Sequence, residues 1–337
     1  PRTEAELWSD RRGTNTPSDY LNSKNQMVFL RGEKNLGDVT LGLDIGHRDK
    51  QGDMYNQSTW GSSRMKTDVK TTTVSPRVLW KSKFGNVDNQ LTAGIDWSEW
   101  SYHNDTAGTG WLSSLDEHGK QKNRAIYIRD EMRFPTGTRL SLGARRESVE
   151  QNHRERLVLN SESSTKQYLN AHEIALQQEL GRDFSAYGRM GRSFRVANID
   201  ENRCWFAPCP APLKPQTSQD REVGVQWSGK RASMRAGLFQ MNVDNEIHYM
   251  NINPYLFGAN VNLPPTRHRG LELEGKVFLG DSVDVAARYT RTQAKFREGV
   301  YGGVNVAGND VPLVPKDRIG LNIGWQATDD TRATFNV

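Results

Sequence analysis

Hydrophobic and polar residues alternate along most of this chain. In RHRGLELEGKVFLGDSVDVAARYT, residues 267–290, apolar side chains such as Leu271 and Leu273 alternate with charged ones such as Glu272 and Glu274, and the alternation continues after a Gly-Asp turn. A period of two residues is typical of a β-strand, because successive side chains point to opposite faces of the sheet. The stretch therefore predicts a β-hairpin with one apolar face and one charged face.

The same hairpin pattern recurs about every fifty residues along the chain. Tight turns fall near Asn35, Asn86, Thr136, Arg182, Lys230, Asp281 and Asp329. The alternating segments beside them predict the strand pairs 27–34/37–46, 70–84/89–102, 122–134/138–150, 167–180/184–195, 218–229/232–249, 268–279/282–294 and 316–326/331–337. Long polar stretches separate the hairpins, at 47–69, 103–121, 151–166, 196–217, 250–267 and 295–315. These signals predict about fourteen strands joined by short turns and long loops in alternation.

Two architectures have a period of about fifty residues, the kelch-type propeller and a chain of hairpins in a barrel. A propeller blade holds four short strands, whereas each repeat here holds two strands of mostly about ten to fifteen residues. A strand of about fourteen residues, tilted by about 45°, rises about 33 Å and can cross an apolar band about 25 Å tall. We therefore predict an all-β fold, a large antiparallel transmembrane β-barrel with short turns at one rim and long loops at the other.

Aromatic residues recur beside the short turns, and most of them share a strand face with the apolar residues. They are Phe84, Phe134, Phe184, Trp227, Phe278 and Trp325, of which Phe278 alone lies on the charged face. An aromatic girdle at a membrane boundary has this placement. The apolar face is thus predicted to meet lipid and the charged face to line a water-filled lumen. The predicted lumen residues are Glu272, Glu274, Lys276, Arg288, Glu222, Gln226, Arg129 and Glu131.

The composition agrees with a barrel and disfavours other classes. The 337 residues have a mean hydropathy of −0.76, and the chain has no run of about 20 apolar residues, which a membrane-spanning helix needs. Transmembrane β-strands are polar at alternate positions, so a search for long apolar runs does not detect them. The net charge of +5 is spread along the chain without a basic tract, so no nucleic-acid partner is expected. Pro1 opens directly into polar sequence, and we expect either a removed signal peptide or a fragment.

The sequence shows no signature of catalysis. The seven histidines are dispersed, without His-x-x-x-His or Cys/His spacing, and Gly-x-Ser-x-Gly, P-loop and dinucleotide motifs do not occur. Carboxylate pairs such as Glu272 and Glu274 share one strand face, as a hydrated lumen wall would have them. We therefore expect neither an enzyme nor a bound metal or cofactor.

The two cysteines lie five residues apart in CWFAPCPAP, between strands. In an oxidising compartment Cys204 and Cys209 could close a small loop as a disulfide. Two free thiols in a loop are the alternative, and the spacing leaves both open.

Four stretches together resemble the barrel of TonB-dependent outer-membrane receptors, which import siderophores, cobalamin and similar scarce ligands. YGRMGRSFRVANIDEN (187–202) is similar to the family's Gly-x-x-Phe-Arg stretch, and LKPQTSQDREVGVQW (213–227) to its Leu-x-Pro-Glu segment with a following Glu-x-Gly. RHRGLELEG (267–275) resembles its Arg-x-Gly-x-Glu strand, and VPLVPKDRIGLNIGW (311–325) its Val-Pro-x-x-Pro entry. The motifs are loose, but they occur in the family's order.

Departures from the family pattern bear on how much of the receptor this chain holds. Ala197 stands where proline is common, and Gln216 where glutamate is common. A plug domain, a TonB box and a final strand ending in an aromatic residue are not found. The resemblance then implies that residues 1–337 are an internal part of a barrel of about 22 strands, without the plug and the last strands.

The resemblance also implies a function and partners. We expect a monomeric outer-membrane receptor of a Gram-negative bacterium, in contact with outer-membrane lipid. It would bind a small-molecule metal chelate or a corrinoid-like ligand and be coupled through its plug to the inner-membrane protein TonB. A passive pore or fatty-acid-type channel is the alternative, and a soluble repeat module for binding is a third reading.

Ligand recognition in such receptors belongs to the long loops and the outer part of the lumen. Arginine and aromatic side chains suit anionic or ring-bearing ligands, because they offer charge-assisted hydrogen bonds and stacking surfaces. The candidate residues are Arg64, Trp100, His103, Trp111, Arg154, Arg195, Arg203, Trp205, Tyr249 and Tyr301.

Overall fold

A computed structural model describes residues 2–110, 114–157, 160–202, 211–250 and 258–337. Predictions made for Trp111, Arg203, Trp205, Cys204 and Cys209 lie outside the described residues.

The described chain consists mainly of strands. A short helix, α1 (Glu4–Ser9), precedes them and is closed by a capping box between Thr3 and Glu6. The strands are β1 (Tyr20–Leu36), β2 (Val39–Ser58), β3 (Gly61–Phe84), β4 (Val87–Gly108), β5 (Leu115–Arg133), β6 (Thr138–Glu155), β7 (Ser161–Glu179), β8 (Phe184–Arg195), β9 (Gln216–Ser228), β10 (Ala232–Asp244), β11 (Ile247–Met250), β12 (Ala259–Asn262), β13 (Thr266–Leu279), β14 (Val283–Phe296), β15 (Val300–Tyr301), β16 (Val304–Asn305), β17 (Asp317–Thr328) and β18 (Thr331–Asn336).

One antiparallel sheet contains 14 of these strands, in the order β1 to β10, β13, β14, β17 and β18. Each strand pairs with the next one of the sheet along the chain, and β1 and β18 are its two edges. The remaining strands form two small pairs, β11 with β12 and β15 with β16. The predicted fold class, with about fourteen antiparallel strands, is confirmed.

The seven predicted hairpin turns all connect paired strands. They define one rim of the sheet, which we call the turn rim, and the opposite rim is the loop rim. Gly37 and Gly280 have φ values of 67° and 70° in the first and sixth of these turns. Glycine adopts this left-handed conformation without the steric cost of a Cβ, so the turns can close in two or three residues.

The strand lengths predicted for the first half of the chain were wrong. Strands continue through most of 47–69, 103–121 and 151–166, so only residues 59–60 separate β2 from β3. In these stretches apolar and polar residues do not alternate. The strands predicted from that alternation were therefore too short. Backbone hydrogen bonds continue the ladder where both faces are polar. Long connections lie where predicted in the second half, between β8 and β9 and between β14 and β17.

The cross-strand register gives the sheet two distinct faces. Glu274 pairs with Arg235 and Arg288, and Leu273 pairs with Ala236 and Tyr289. Because paired residues point to the same side, the register defines a polar face through Glu274 and an apolar face through Leu273. Each residue predicted to line the lumen lies on the polar face, as the register confirms, and so does the exception Phe278.

The apolar face carries a band that begins at the turn rim and ends at a row of arginines. Beside the turns stand exposed aromatics such as Phe184 and Trp325. Exposed aliphatic residues such as Ile95, Ile126 and Val225 fill the band. At its far edge lie Arg124, Arg146, Arg192, Arg221, Arg269 and Arg291.

Burial is concentrated near the loop rim. Leu263, Ala294, Phe296, Val306 and Val311 form the buried apolar cluster, which packs under the β11–β12 and β15–β16 pairs. Elsewhere many of the large hydrophobic side chains of the band are exposed, and others, such as Leu273 and Ile323, are half-buried. Among the described residues, no helix is long and apolar enough to cross a membrane.

Candidate functional site

The polar face carries a network of charges at the height of the apolar band. Arg189 on β8 is 3.2 Å from Glu173 on β7, and it is 3.3 Å and 3.4 Å from Asp220 and Glu222 on β9. The register that pairs Arg189 with Glu222 places all four side chains on the same side of the sheet. One guanidinium therefore links three strands on the polar face.

Glu222 extends this network to the next strand. Its Oε1 accepts hydrogen bonds from the Tyr187 hydroxyl at 2.6 Å and from Arg235 Nη2 at 2.8 Å. The Arg235 guanidinium also lies over the Tyr187 ring, 5.0 Å from its centre. Hydrogen bonds that involve charged groups are stronger than neutral ones, so these contacts fix the side chains of β8, β9 and β10 relative to one another.

A second charge group is centred on Arg145 of β6, two strands from Arg189 on the same face. Arg145 Nε donates to Glu147 at 2.8 Å, and Arg145 Nη1 donates to Asp96 across the sheet. Between Arg145 and Arg189 the wall forms a cavity of about 680 Å³, lined also by Glu173 and Asp220. At this cavity the polar face of the sheet presents positively and negatively charged side chains, held in place by their ion pairs, to water or to a polar molecule.

A segment after β8 folds back over the polar face near the loop rim. Ala197 and Ile199 are only 1% and 5% exposed, and Gln151 Nε2 donates to the Ala197 carbonyl at 2.7 Å. A Cβ on Gly119 would lie 3.2 Å from the Ile199 side chain. The glycine thus leaves room for this segment, and residues 196–202 cover part of the wall.

The loop rim also holds a partly buried carboxylate. Glu246 accepts a hydrogen bond from Thr266 Oγ1 at 2.7 Å, and its Oε2 lies 3.2 Å from His268 Nε2. Burial raises the pKa of Glu246, but the hydrogen bonds from His268 and Thr266 and the charge of His248 outweigh it, so the pKa falls below its ordinary value of 4.5. The carboxylate is ionised at neutral pH.

Acid should loosen this part of the loop rim. Since the folded pKa of Glu246 is depressed, its ionised form stabilises the fold fully above pH 4.5, and this stability is lost as the pH falls through the folded pKa. We expect amide hydrogen exchange in residues 259–268, corrected for intrinsic rates, to quicken below pH 4.5. Glu246→Gln should remove most of that pH dependence. An unchanged pH dependence in the variant would show that other groups cause it.

The structure places the described candidate residues on two different faces. Trp100 on β4 and Arg195 on β8 lie on the polar face. Trp100 stacks on Tyr102 with ring centres 5.7 Å apart. Tyr249 and Tyr301 lie on the small strands β11 and β15. Whether these residues contact a ligand stays a prediction.

Three candidates point away from the polar face. Arg64, His103 and Arg154 lie on β3, β4 and β6 rather than in loops, on the side of the apolar face. Arg64 forms a two-pronged ion pair with Asp53, at 3.0 Å and 2.6 Å. His103 and Arg154 both line a cavity of about 500 Å³ on that side. The sequence analysis did not predict that these residues lie on the opposite face from Trp100 and Arg195. It assigned their segments to loops, and only in a strand does the position of a residue decide which face its side chain points to.

The sequence also missed Arg145, Arg189, Arg235 and Tyr187. Arg189 and Arg235 lie directly opposite the predicted lumen residues Glu222 and Gln226. Tyr187 lies two residues from Arg189, and Arg145 lies two residues from Gly143, which is opposite the predicted lumen residue Arg129. Extending the period of two along every strand would have found them.

In the part of the chain that the structure describes, one group of side chains could hold a metal ion. It consists of His103, Asp116 and His118, whose ligand atoms all lie within 4.8 Å of one another. The expectation of no metal site was based on spacing along the chain, and this group is assembled across strands.

The disulfide between Cys204 and Cys209 also stays a prediction. If the pair is oxidised, a thiol reagent should label the native protein only after reduction, because an oxidising compartment favours the paired state. The measurement is mass spectrometry of labelled protein with and without a reductant, and Cys204→Ala serves as the control with one free thiol. Equal labelling of both cysteines without reductant would show two free thiols.

The chain matches the family model described as TonB dependent receptor-like, beta-barrel, over residues 3–336. It is 27% identical over 139 residues to the iron-regulated outer membrane virulence protein of Vibrio cholerae, covering 37% of this chain and 20% of that protein. It is 21% identical over 282 residues to the ferrioxamine receptor of Yersinia enterocolitica, covering 79% and 37%. The structure of the ferric citrate transporter FecA superposes with a TM-score of 0.76 at 17% identity, covering 96% of this chain and 50% of that one.

The chain therefore belongs to the TonB-dependent receptor β-barrel family and forms part of a barrel in the outer membrane of a Gram-negative bacterium. Among the proteins it resembles, one is named a receptor and one a transporter. The likeness to FecA, at 17% identity, shows the fold. The chain spans between 20% and 37% of the two curated relatives and half of the FecA chain.

Proposed function

We propose that this chain forms part of the wall of a receptor for energy-coupled uptake of a bulky ferric chelate. The continuous polar face carries the proposal. In a barrel of this family the polar face lines the lumen, and here it presents charged groups such as Arg145 and Arg189 around a cavity of about 680 Å³. A hydrated, charged wall suits the passage of a polar metal complex, and the ferrioxamine receptor is a relative that is named for such a ligand.

We place ligand recognition at the loop rim, on the inner side of the wall. There the stacked pair Trp100 and Tyr102 lies close to the segment 196–202. Flat aromatic surfaces and arginines such as Arg195 suit a ring-bearing or anionic chelate. Arg64, His103 and Arg154 lie on the opposite face of the sheet, away from this position.

The apolar face is proposed to contact lipid. A band of exposed aliphatic residues between an aromatic girdle and a row of arginines matches the profile of a lipid-facing barrel surface. Arginine side chains at the edge of the band can extend their guanidinium groups toward the anionic headgroups.

The remaining partners follow from the proposed function. Energy would come from TonB in the inner membrane, acting through a plug domain that is not among residues 1–337. The receptor would work as a monomer, because the polar wall of a single barrel would enclose the route.

A binding experiment tests the ligand class. The complete receptor in detergent should bind one class of ferric chelate, from a panel of ferric hydroxamates, ferric citrate, ferric catecholates and cobalamin, with a Kd of about 1 μM or below. Tryptophan fluorescence quenching measures the affinity, and the iron-free chelators are the controls. If the folded receptor binds no ferric chelate in the panel and binds cobalamin or a fatty acid instead, the ferric-chelate proposal is wrong.

A further inference from the structure

The structure brings two histidines and an aspartate together outside the lumen. His103 on β4 and His118 on β5 are direct cross-strand partners, so both imidazoles lie on the same side of the sheet. Asp116 precedes His118 by two residues and therefore shares its face. The two imidazole rings are nearly parallel, with an interplanar angle of 11° and centres 4.2 Å apart.

Both imidazoles approach the same carboxylate oxygen. His103 Nε2 lies 3.2 Å and His118 Nε2 lies 3.0 Å from the same oxygen, Oδ1 of Asp116. Bonds of about 2.0–2.1 Å to a tetrahedral zinc ion would put neighbouring ligand atoms about 3.3–3.4 Å apart. The two nitrogen-to-oxygen separations are within a few tenths of an ångström of this value, and all three ligand atoms lie within 4.8 Å of one another. Small side-chain rotations would therefore suffice to admit an ion.

The other oxygen of Asp116 is held by an arginine that follows a different strand. Arg156 Nη1, just beyond β6, donates to Asp116 Oδ2 at 3.4 Å. This contact leaves Oδ1 directed at the two imidazoles. Groups that hold a ligand in position in this way commonly strengthen metal sites.

The position of the group separates it from the route through the lumen. His118 lies on the same face as Ile126 in the apolar band, eight residues closer to the loop rim and beyond Arg124. At about 3.3 Å per residue and a tilt of about 45°, this is a height of about 19 Å above Ile126. The side chains of His103, His118 and Asp116 are 48%, 41% and 26% exposed, so an ion could enter from the surrounding solution.

We propose that His103, Asp116 and His118 form a binding site for a divalent transition-metal ion of the Zn²⁺ type on the outer surface of the barrel. Two imidazoles and one carboxylate supply three ligands, and water completes the coordination. The ion would join the ends of β4 and β5 outside the membrane. This site is independent of the ligand that the receptor imports.

The test uses the complete, untagged receptor in detergent, washed with a chelator. Calorimetric titration with Zn²⁺ should show one site, and Co²⁺ in its place should give the visible absorption of a four-coordinate ion. His103→Ala and His118→Ala should each weaken Zn²⁺ binding by at least about tenfold. The matched control is His172→Ala, since His172 is an exposed histidine on the same side of the wall but outside the group.

Heat modifiability on gels shows that each variant is folded. In the folded wild type, Zn²⁺ should also slow amide exchange in residues 103–106 and 115–118, and His103→Ala should abolish this effect. Wild-type Zn²⁺ affinity in both the His103 and His118 variants would overturn the proposal. An equal loss in the His172 control, or no Zn²⁺ binding by the folded wild type, would overturn it as well.

Discussion

Replacing Val225 by lysine is expected to destabilise insertion of the barrel by about 2–4 kcal/mol, the cost of a lysine near the middle of the bilayer on a lipid-facing strand. Val225 is 52% exposed on the apolar face of β9, between Arg221 at the edge of the band and Trp227 in the girdle. The measurement is equilibrium folding of the complete receptor into lipid vesicles in urea.

The neighbouring residue is the matched control for this substitution. Gln226 is adjacent in sequence but lies on the polar face, where it pairs with Ser185 and Arg235. Gln226→Lys puts the same charge at the same height in water and should change stability by less than about 1 kcal/mol. A comparable loss for both variants would mean that the two faces meet the same environment, which contradicts the assignment of lipid and lumen.

Replacing residues 203–210 by a short glycine-serine linker is expected to abolish ligand binding at the cell surface, with the barrel still folded. The replaced segment contains the candidates Arg203 and Trp205. It leaves in place the residues 196–202 that pack on the wall and the start of β9. Because backbone pairing between strands holds the sheet, loss of this connection should not unfold it. The measurement is binding of the ferric chelate to intact cells.

The control for this replacement is a change at the turn rim. Lys230→Ala with Arg231→Ala alters the turn between β9 and β10, where the exposed ion pair from Arg231 to Asp281, 3.4 Å long, adds little stability. Binding should stay at the wild-type level in this variant. Wild-type binding in the linker variant as well, with the barrel folded, would place recognition in another part of the receptor.

The hairpin order and the two faces could be predicted from the sequence because period-two patterning reports directly on strand faces. Leu273 and Glu274 show this, since their register partners have the same character as they do. The extent of the first strands could not be predicted, because beyond the apolar band both faces of these strands carry mostly polar residues. The stretch around Lys66 and Lys70 has no apolar period, yet it pairs throughout.

The candidate site was less predictable than the fold. Residue type singled out His103, but only the register shows that it stands opposite His118 and outside the lumen. Likewise, Ile199 packs over Gly119, although the two residues are far apart in the chain. Contacts of this kind depend on how a connection folds over the wall, which local patterns do not encode.

Uptake measured with and without TonB distinguishes energy-coupled transport from passive diffusion. Cells that express the complete receptor as their sole route for the ferric chelate should accumulate radiolabelled iron from nanomolar concentrations. Deletion of TonB should reduce accumulation to the level of cells without the receptor, while surface binding of the chelate persists. Equal accumulation with and without TonB, rising in proportion to the external concentration, would contradict the account and indicate a passive pore.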